Sequence, residues 1–179
     1  MADIALVNHA GFHQPHREEL ERDALLVAPS LLGGLLSVCL DGASVTVRIT
    51  EVEAYHGLGT GSTPDPGSHA RMGKTGRNAT MWGAPGHLYV YLSHGIHSCV
   101  NVACSPDGVA SGVLLRAGEV IEGVDAAAAR RTTSREFVDL ARGPGRLGKA
   151  VGLVPSLHNG IDAPAGGAAQ AGAPARLWF

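Results

Sequence analysis

Apolar and polar positions alternate most clearly over Val45-Thr46-Val47-Arg48-Ile49-Thr50-Glu51-Val52-Glu53-Ala54-Tyr55. The period of two predicts a strand over residues 44–55, and the Asp41-Gly42 pair before it predicts a turn. Side chains alternate across a strand, so Val45, Val47, Ile49, Glu51, Glu53 and Tyr55 are expected on one face. That face starts apolar and ends in two acids and a phenol. A core-facing carboxylate needs a partner or a task, because burying it unpaired is costly. The alternative is that the strand leaves the core near Thr50 and the acids are solvated.

Other segments carry weaker patterns. Residues 1–11 read as a loose tail. Pro15 suits the first turn of a helix, with Glu18, Glu19 and Glu21 near its positive end. Residues 25–36 predict a second helix, broken or started near Pro29-Ser30 and ended at Gly33-Gly34. The loop over 57–86, rich in glycine, serine, threonine and proline, is too long for an idle connector. Residues 87–93 and 98–104 predict a hairpin around His94-Gly95, with Tyr89, Tyr91, Cys99 and Asn101 sharing one face. Residues 112–117 predict a further strand carrying Arg116, and 119–140 a helix. Gly143-Pro144-Gly145 interrupts that pattern before a short helix over 146–151. Leu88, Val90, Leu114 and Leu115 are assigned to the core. From Pro155 on, alanine, glycine and proline dominate, so residues 155–179 form an atypical segment in which only Leu177-Trp178-Phe179 offers much to pack.

A chain of 179 residues fits one domain with a sizeable core. Its net charge of −2 gives no global signature of a nucleic-acid binder. The distribution changes that picture. Residues 1–65 carry nine acids and three arginines, whereas Arg130, Arg131, Arg135, Arg142, Arg146, Lys149 and Arg176 face only Glu136, Asp139 and Asp162 in 126–179. Arg71, Lys74 and Arg77 form a second cluster, in the glycine-containing loop. Such clusters hold phosphates locally on an otherwise acidic protein, although scattered arginines are also the ordinary make-up of a solvated face. Cys39, Cys99 and Cys104 lack metal-type pairing and read as reduced thiols of a cytoplasmic protein. No signal-peptide pattern and no apolar run near 18 residues is present, so no membrane partner is expected. His9, His13 and His16, and likewise His94 and His97, lack the compact pattern of a zinc site, and no metal or other cofactor is expected.

The ordered set Glu53-Ala54-Tyr55, Ser68-His69-Ala70-Arg71, Arg77-Asn78, Tyr89-Val90-Tyr91, His94-Gly95, Val100-Asn101-Val102 and Leu114-Leu115-Arg116-Ala117 resembles the alkyladenine DNA glycosylase family. These are the mammalian-type 3-methyladenine DNA glycosylases, and the resemblance covers roughly residues 20–155. It implies a single α+β domain with a curved, mostly antiparallel sheet flanked by helices, like the C-terminal domain of formyltransferases. It implies hydrolysis of the N-glycosidic bond of alkylated or deaminated purines (3-methyladenine, hypoxanthine, ethenoadenine) in double-stranded DNA. On this resemblance Glu53 matches the carboxylate that activates water and Arg116 the arginine that helps to hold it. Tyr55, His69 and Tyr91 match the residues that sandwich a flipped base, and Asn101 the one that crowds the exocyclic amine of guanine. Arg71, Lys74, Arg77, Arg146 and Lys149 are expected on phosphates. The implied protein is a monomer, nucleoid-associated in a bacterium or nuclear in a eukaryote.

The chain also departs from the pattern. His94 stands where the family has a tyrosine that wedges into the DNA stack, Gly76 stands where a proline is typical, and the loop between Tyr55 and His69 is longer. The family continues into further strands, one of which supplies a backbone carbonyl to the catalytic water. Either Leu177-Trp178-Phe179 takes that place, or the C-terminal segment is truncated and the pocket incomplete. The second case predicts a catalytically impaired protein that binds lesions without releasing a base. Glu51 gains no role from the resemblance.

Overall fold

A computed structural model describes residues 11–60, 64–163 and 174–179. The predicted tail, except Gly11, and the His9 of the first histidine set lie outside the described residues.

The first helix is shorter than Pro15 suggests. Helix α1 spans Arg17–Leu20 with His16 as its cap, and Glu19 reaches back to accept from the His16 backbone N–H at 2.7 Å. Helix α2 spans Ala24–Leu31, capped by Asp23, whose side chain accepts from Leu25 N–H. The predicted helix over 25–36 is therefore two elements. Gly33 takes a positive φ of 83°, and Leu35–Leu40 then form strand β1. Pairing with the following strand overrides the helical preference of leucine here. The two strands meet through Asp41 (φ 53°) and Gly42 (φ 77°), as the Asp-Gly signal requires.

Strand β2 spans Ala43–His56, β3 His87–Ser93, β4 His97–Cys104 and β5 Ser111–Glu122. The prediction of helix from residue 119 fails at its start. Residues 119–122 continue β5 and pair with Thr46, Val47 and Arg48, where β-branched Val120 and Ile121 suit a strand. Helix α3 is confined to Val124–Arg130, and only a short 3-10 turn, Phe137–Asp139, follows before helix α4, Pro144–Val151. From Pro155 on, the described residues form helix α5 (Pro155–His158), strand β6 (Ile161–Asp162) and strand β7 (Ala175–Trp178), more regular structure than the composition suggests.

The strands build one antiparallel sheet in the order β6-β3-β4-β5-β2-β1-β7. Leu177 N–H donates to Ala163 O next to β6, drawing the two ends of the sheet together. The main core lies on one face, where Val45, Val47 and Ile49 pack with Leu36, Val38, Leu88, Val90, Val113, Leu115, Leu147 and Leu177. Strand β7 covers the free edge of β1, pairing Leu35 with Trp178 and Leu36 with Leu177. It thus serves the core rather than the Glu53 end of β2. Among the described residues, 51–56 have β5 as their only strand neighbour.

Two bulges correct the predicted face of β2. In the ladder with β5, Ile49 pairs with Gly118, Glu51 with Ala117 and Val52 with Leu115. Thr50 is therefore an extra residue on β2 and Arg116 an extra residue on β5. Each bulge reverses the alternation of its strand. Val45, Val47 and Ile49 face the core, but beyond Thr50 it is Val52 and Ala54 that pack against it. Glu53 and Tyr55 consequently point to the opposite face, and the expected six-residue row does not form.

Candidate active site

That opposite face carries the site. Glu53 lies across from Leu114, Leu114 across from Asn101, and Asn101 across from Tyr89. Directly opposed residues share a face, so these four form one row over β2, β5, β4 and β3. Leu114, assigned to the core from sequence, is buried but lies in this row and outside the main core. It fills the floor between Glu53 and Asn101.

At one end of the row both oxygens of Glu53 are engaged. Tyr55 Oη donates to Oε2 at 2.7 Å, and Arg116 Nη1 donates to Oε1 at 2.9 Å. Arg116 Nε donates at 2.8 Å to Glu51 Oε1. Glu51 thus has a partner that local sequence does not reveal. The hydrogen bond donated to Glu51, then the charges of Glu53 and Glu51, raise the guanidinium pKa further. Partial burial, then the bond to Glu53, pushes the Tyr55 hydroxyl up to about 12.

At the other end three rings cluster. Tyr89 and Tyr91 are stacked with centroids 5.3 Å apart, as expected for i, i+2 neighbours on one strand face. His69 sits edge-on to Tyr91 at 4.4 Å, and its Nδ1 shares a 3.1 Å hydrogen bond with Tyr89 Oη. Sequence gave Tyr89 only a strand role. It is fully buried, and its hydroxyl orients the His69 ring. Beneath the rings, Ala70, Met81, Tyr89 and Ala110 form a small second core that anchors the loop. Asn78 ties the same loop down, donating from Nδ2 to His69 O and Gly73 O and accepting at Oδ1 from Thr75 N–H. Desolvation, then the Arg77 and Arg71 charges, lowers the His69 pKa, so the ring is neutral at pH 7. Asn101 is buried and donates its amide to Tyr89 O at 3.1 Å, which fixes its orientation in the row.

Of the remaining expected residues, Arg77 lies over the Tyr91 ring, 5.9 Å from its centroid, and the others surround this face without joining it. His94 is at the exposed tip of the β3–β4 hairpin, in a turn where it and Gly95 both have positive φ (52° and 74°). Open grooves flank the hairpin. One, of 570 Å³, is lined by Arg77, Tyr91 and His94. The other, of 470 Å³, runs past Ile96, Arg131, Arg135, Arg146 and Lys149. Helix α4 brings Arg146 and Lys149 there because Gly148 lets it lie against Ser98, whose carbonyl oxygen would be 2.1 Å from any Cβ at that position. Arg71 and Lys74 are exposed on the His69 loop. Among the described residues no group of three or more metal-ligating side chains occurs, and no helix is long and apolar enough to cross a membrane.

Residues 18–171 match the model of the methylpurine-DNA glycosylase family. A Nocardia farcinica protein named "putative 3-methyladenine DNA glycosylase" is 53% identical over 136 residues, covering 76% of this chain and 62% of the relative. Proteins of the same name from Streptomyces avermitilis (48% identity, 84% of this chain, 69% of the relative) and Mycobacterium tuberculosis (47%, 81% and 69%) are also similar. The chain thus spans between three fifths and seven tenths of the length of these relatives. With most of its length matched and identity near one half, the chain belongs to the methylpurine-DNA glycosylase family.

Proposed function

We propose that the protein hydrolyses the N-glycosidic bond of damaged purines flipped out of duplex DNA, as a monofunctional glycosylase. The observation that carries the reading is the Glu53 carboxylate, held by Arg116 and Tyr55 at one end of the row that ends in the ring cluster. Glu53 removes a proton from water as the water oxygen bonds to the sugar anomeric carbon and the bond to the purine nitrogen breaks. The base leaves with the bonding electrons. Such a reaction passes through a cationic sugar, which a carboxylate also stabilises electrostatically. Tyr55, His69 and Tyr91 supply the stacking surfaces that offset the cost of unstacking the base, and Asn101 screens its edge. His94 enters the gap left in the helix, while Arg71, Lys74, Arg77, Arg146 and Lys149 hold phosphates.

Lys74 and Lys149 are the only lysines. Both are placed on phosphates, so no Schiff-base lyase step is expected and borohydride should trap no covalent complex. The decisive assay is alkali-induced strand scission of duplexes containing 3-methyladenine, hypoxanthine or ethenoadenine. Wild type is expected to release base, and Glu53→Gln to lose about 10²–10⁴-fold in rate while still binding the duplex. Binding without release by wild type would instead favour a lesion-binding protein, a reading supported by residues 51–56 having a single strand neighbour among the described residues.

A further inference from the structure

The Arg116 guanidinium poses an electrostatic problem for this reading. A lone Arg116–Glu53 pair would be neutral, and a neutral pair offers little to a developing sugar cation. The structure adds a second carboxylate. Arg116 bonds Glu51 through Nε at 2.8 Å and Glu53 through Nη1 at 2.9 Å, so two carboxylates face one guanidinium. The bulges at Thr50 and Arg116 create this geometry, because they turn both strands over at the Glu51–Ala117 pair. Stability does not account for the arrangement. The side chains of Glu51, Arg116 and Glu53 are 56%, 41% and 36% exposed, and ion pairs so open to water add little to folding.

We propose that Glu51 is a charge-balancing, positioning residue. It holds Arg116 from behind and keeps the trio at a net charge of −1, so that Arg116 fixes the reacting carboxylate without cancelling the field that favours a cationic sugar. This rests on the glycosylase reading and extends it to a residue with no other assigned role. Tyr55, kept protonated by burial and then by its bond to Glu53, and Asp65, whose charge acts on Tyr55, titrate nearest the trio, with Tyr91, Tyr89 and His69 further along the same face.

The test reads binding rather than turnover. Two duplexes are compared by fluorescence anisotropy at low salt: one carries a protonated pyrrolidine in place of the sugar, the other its neutral tetrahydrofuran counterpart. Wild type prefers the cationic analogue. Glu51→Gln makes the trio neutral and reduces that preference about 3- to 10-fold, an effect that fades as salt rises. Affinity for the neutral analogue stays within about twofold, whereas a merely structural role would lower both affinities together. Glu51→Asp keeps the preference. The double variant Glu51→Gln/Arg116→Gln returns the local charge to −1 and restores the preference toward the wild-type value. An unchanged preference in Glu51→Gln, or no recovery in the double variant, overturns the proposal. Base release is scored separately. Absent release with the preference pattern intact rejects the glycosylase reading alone, and release without the pattern rejects this inference alone.

Discussion

The Tyr55 hydroxyl donates to Glu53 Oε2 at 2.7 Å, so in the proposed reaction one side chain would serve both as a stacking surface and as a restraint on the carboxylate. The two roles separate by substitution. Tyr55→Phe keeps the ring and removes the bond, which frees the Glu53 rotamer. The single-turnover rate of base release should therefore fall about 3- to 10-fold, the scale of one hydrogen bond. Tyr55→Ala, which also removes the stacking surface, should cost at least about tenfold more, since stacking is worth ~1–3 kcal/mol per base. Equal losses in the two variants would show that the ring carries nothing.

All three tyrosines of the chain line this one face. Burial comes first among the causes that raise each: Tyr55 to about 12, and Tyr89 and Tyr91 also upward. A pKa raised in the folded state favours the protonated form. The corresponding stability is present in full below the ordinary value near 10 and is lost as pH rises through the folded values. Absorbance of the native protein at 295 nm should therefore stay flat through about pH 10–11 and rise only with alkaline unfolding. Phenolate appearing near pH 10 in the folded protein would mean that the pocket is wetter than its geometry implies.

The bond between Tyr89 Oη and His69 Nδ1 makes a different prediction, in binding. Tyr89→Phe leaves the buried ring in place but releases the His69 ring. Kd for a lesion duplex should rise about 3- to 10-fold with the saturated rate nearly unchanged. The His69 pKa is lowered by desolvation and then by Arg77 and Arg71. The stability this contributes is present above the ordinary value of about 6.5 and is lost as pH falls through the folded value. Binding of a cationic alkylpurine should follow the same window, because a protonated His69 would repel it. Arg77→Gln should raise the His69 pKa and shift the acid limb of binding upward, as read by histidine NMR titration alongside anisotropy.

Much of this site was legible in the sequence, and what was not has identifiable causes. The hairpin and its aromatic face follow from strict alternation and the Gly95 turn, and the structure reproduces that face pair by pair. The resemblance supplied Glu53, Tyr55, His69, Tyr91, Asn101 and Arg116, and the fold brings them to one side of the sheet. The bulges were missed, although a signal was present: apolar residues occupy odd positions through Ile49 and even ones at Val52 and Ala54. A bulge lies between those runs, and a uniform period of two reads through it. Leu114 is buried as expected, but on the face opposite Leu115, because adjacent strand residues alternate and a run of leucines does not show which face is which. The Glu51 partner lies 65 positions away, and no local pattern reports a bond of that range. The helix expected over 25–36 runs two residues into strand β1, because the helical preference of Leu35 and Leu36 yields only to pairing with the neighbouring strand.

Gly148 tests how helix α4 delivers its cations. A methyl group at this position would meet Ser98 O at 2.1 Å and Ser98 C at 2.9 Å, both backbone atoms that cannot swing away. Gly148→Ala should destabilise by about 1–3 kcal/mol, and lower Tm by roughly 3–10 °C. If the folded variant accommodates the methyl by moving α4 outward, Arg146 and Lys149 retreat from the groove. DNA affinity should then fall with a shallower salt dependence, because fewer phosphates are neutralised. A lower Tm with an unchanged salt slope would remove these two residues from the DNA contact.

His94 combines an awkward backbone with an undersized ring. Its φ of 52° is costly for most L-residues, and asparagine tolerates the left-handed region better than most. His94→Asn should therefore match or exceed wild type in Tm while lacking a ring to fill the gap in the DNA stack. His94→Tyr keeps the strain and enlarges the ring. Stability and function are thus predicted to move in opposite directions, which separates wedge action from simple folding of the hairpin. With 2-aminopurine beside the lesion, retention of the extrahelical base should rank tyrosine above histidine above asparagine. Equal retention in all three would place the wedge elsewhere on the tip, where Ile96 is 73% exposed and is the next side chain to test.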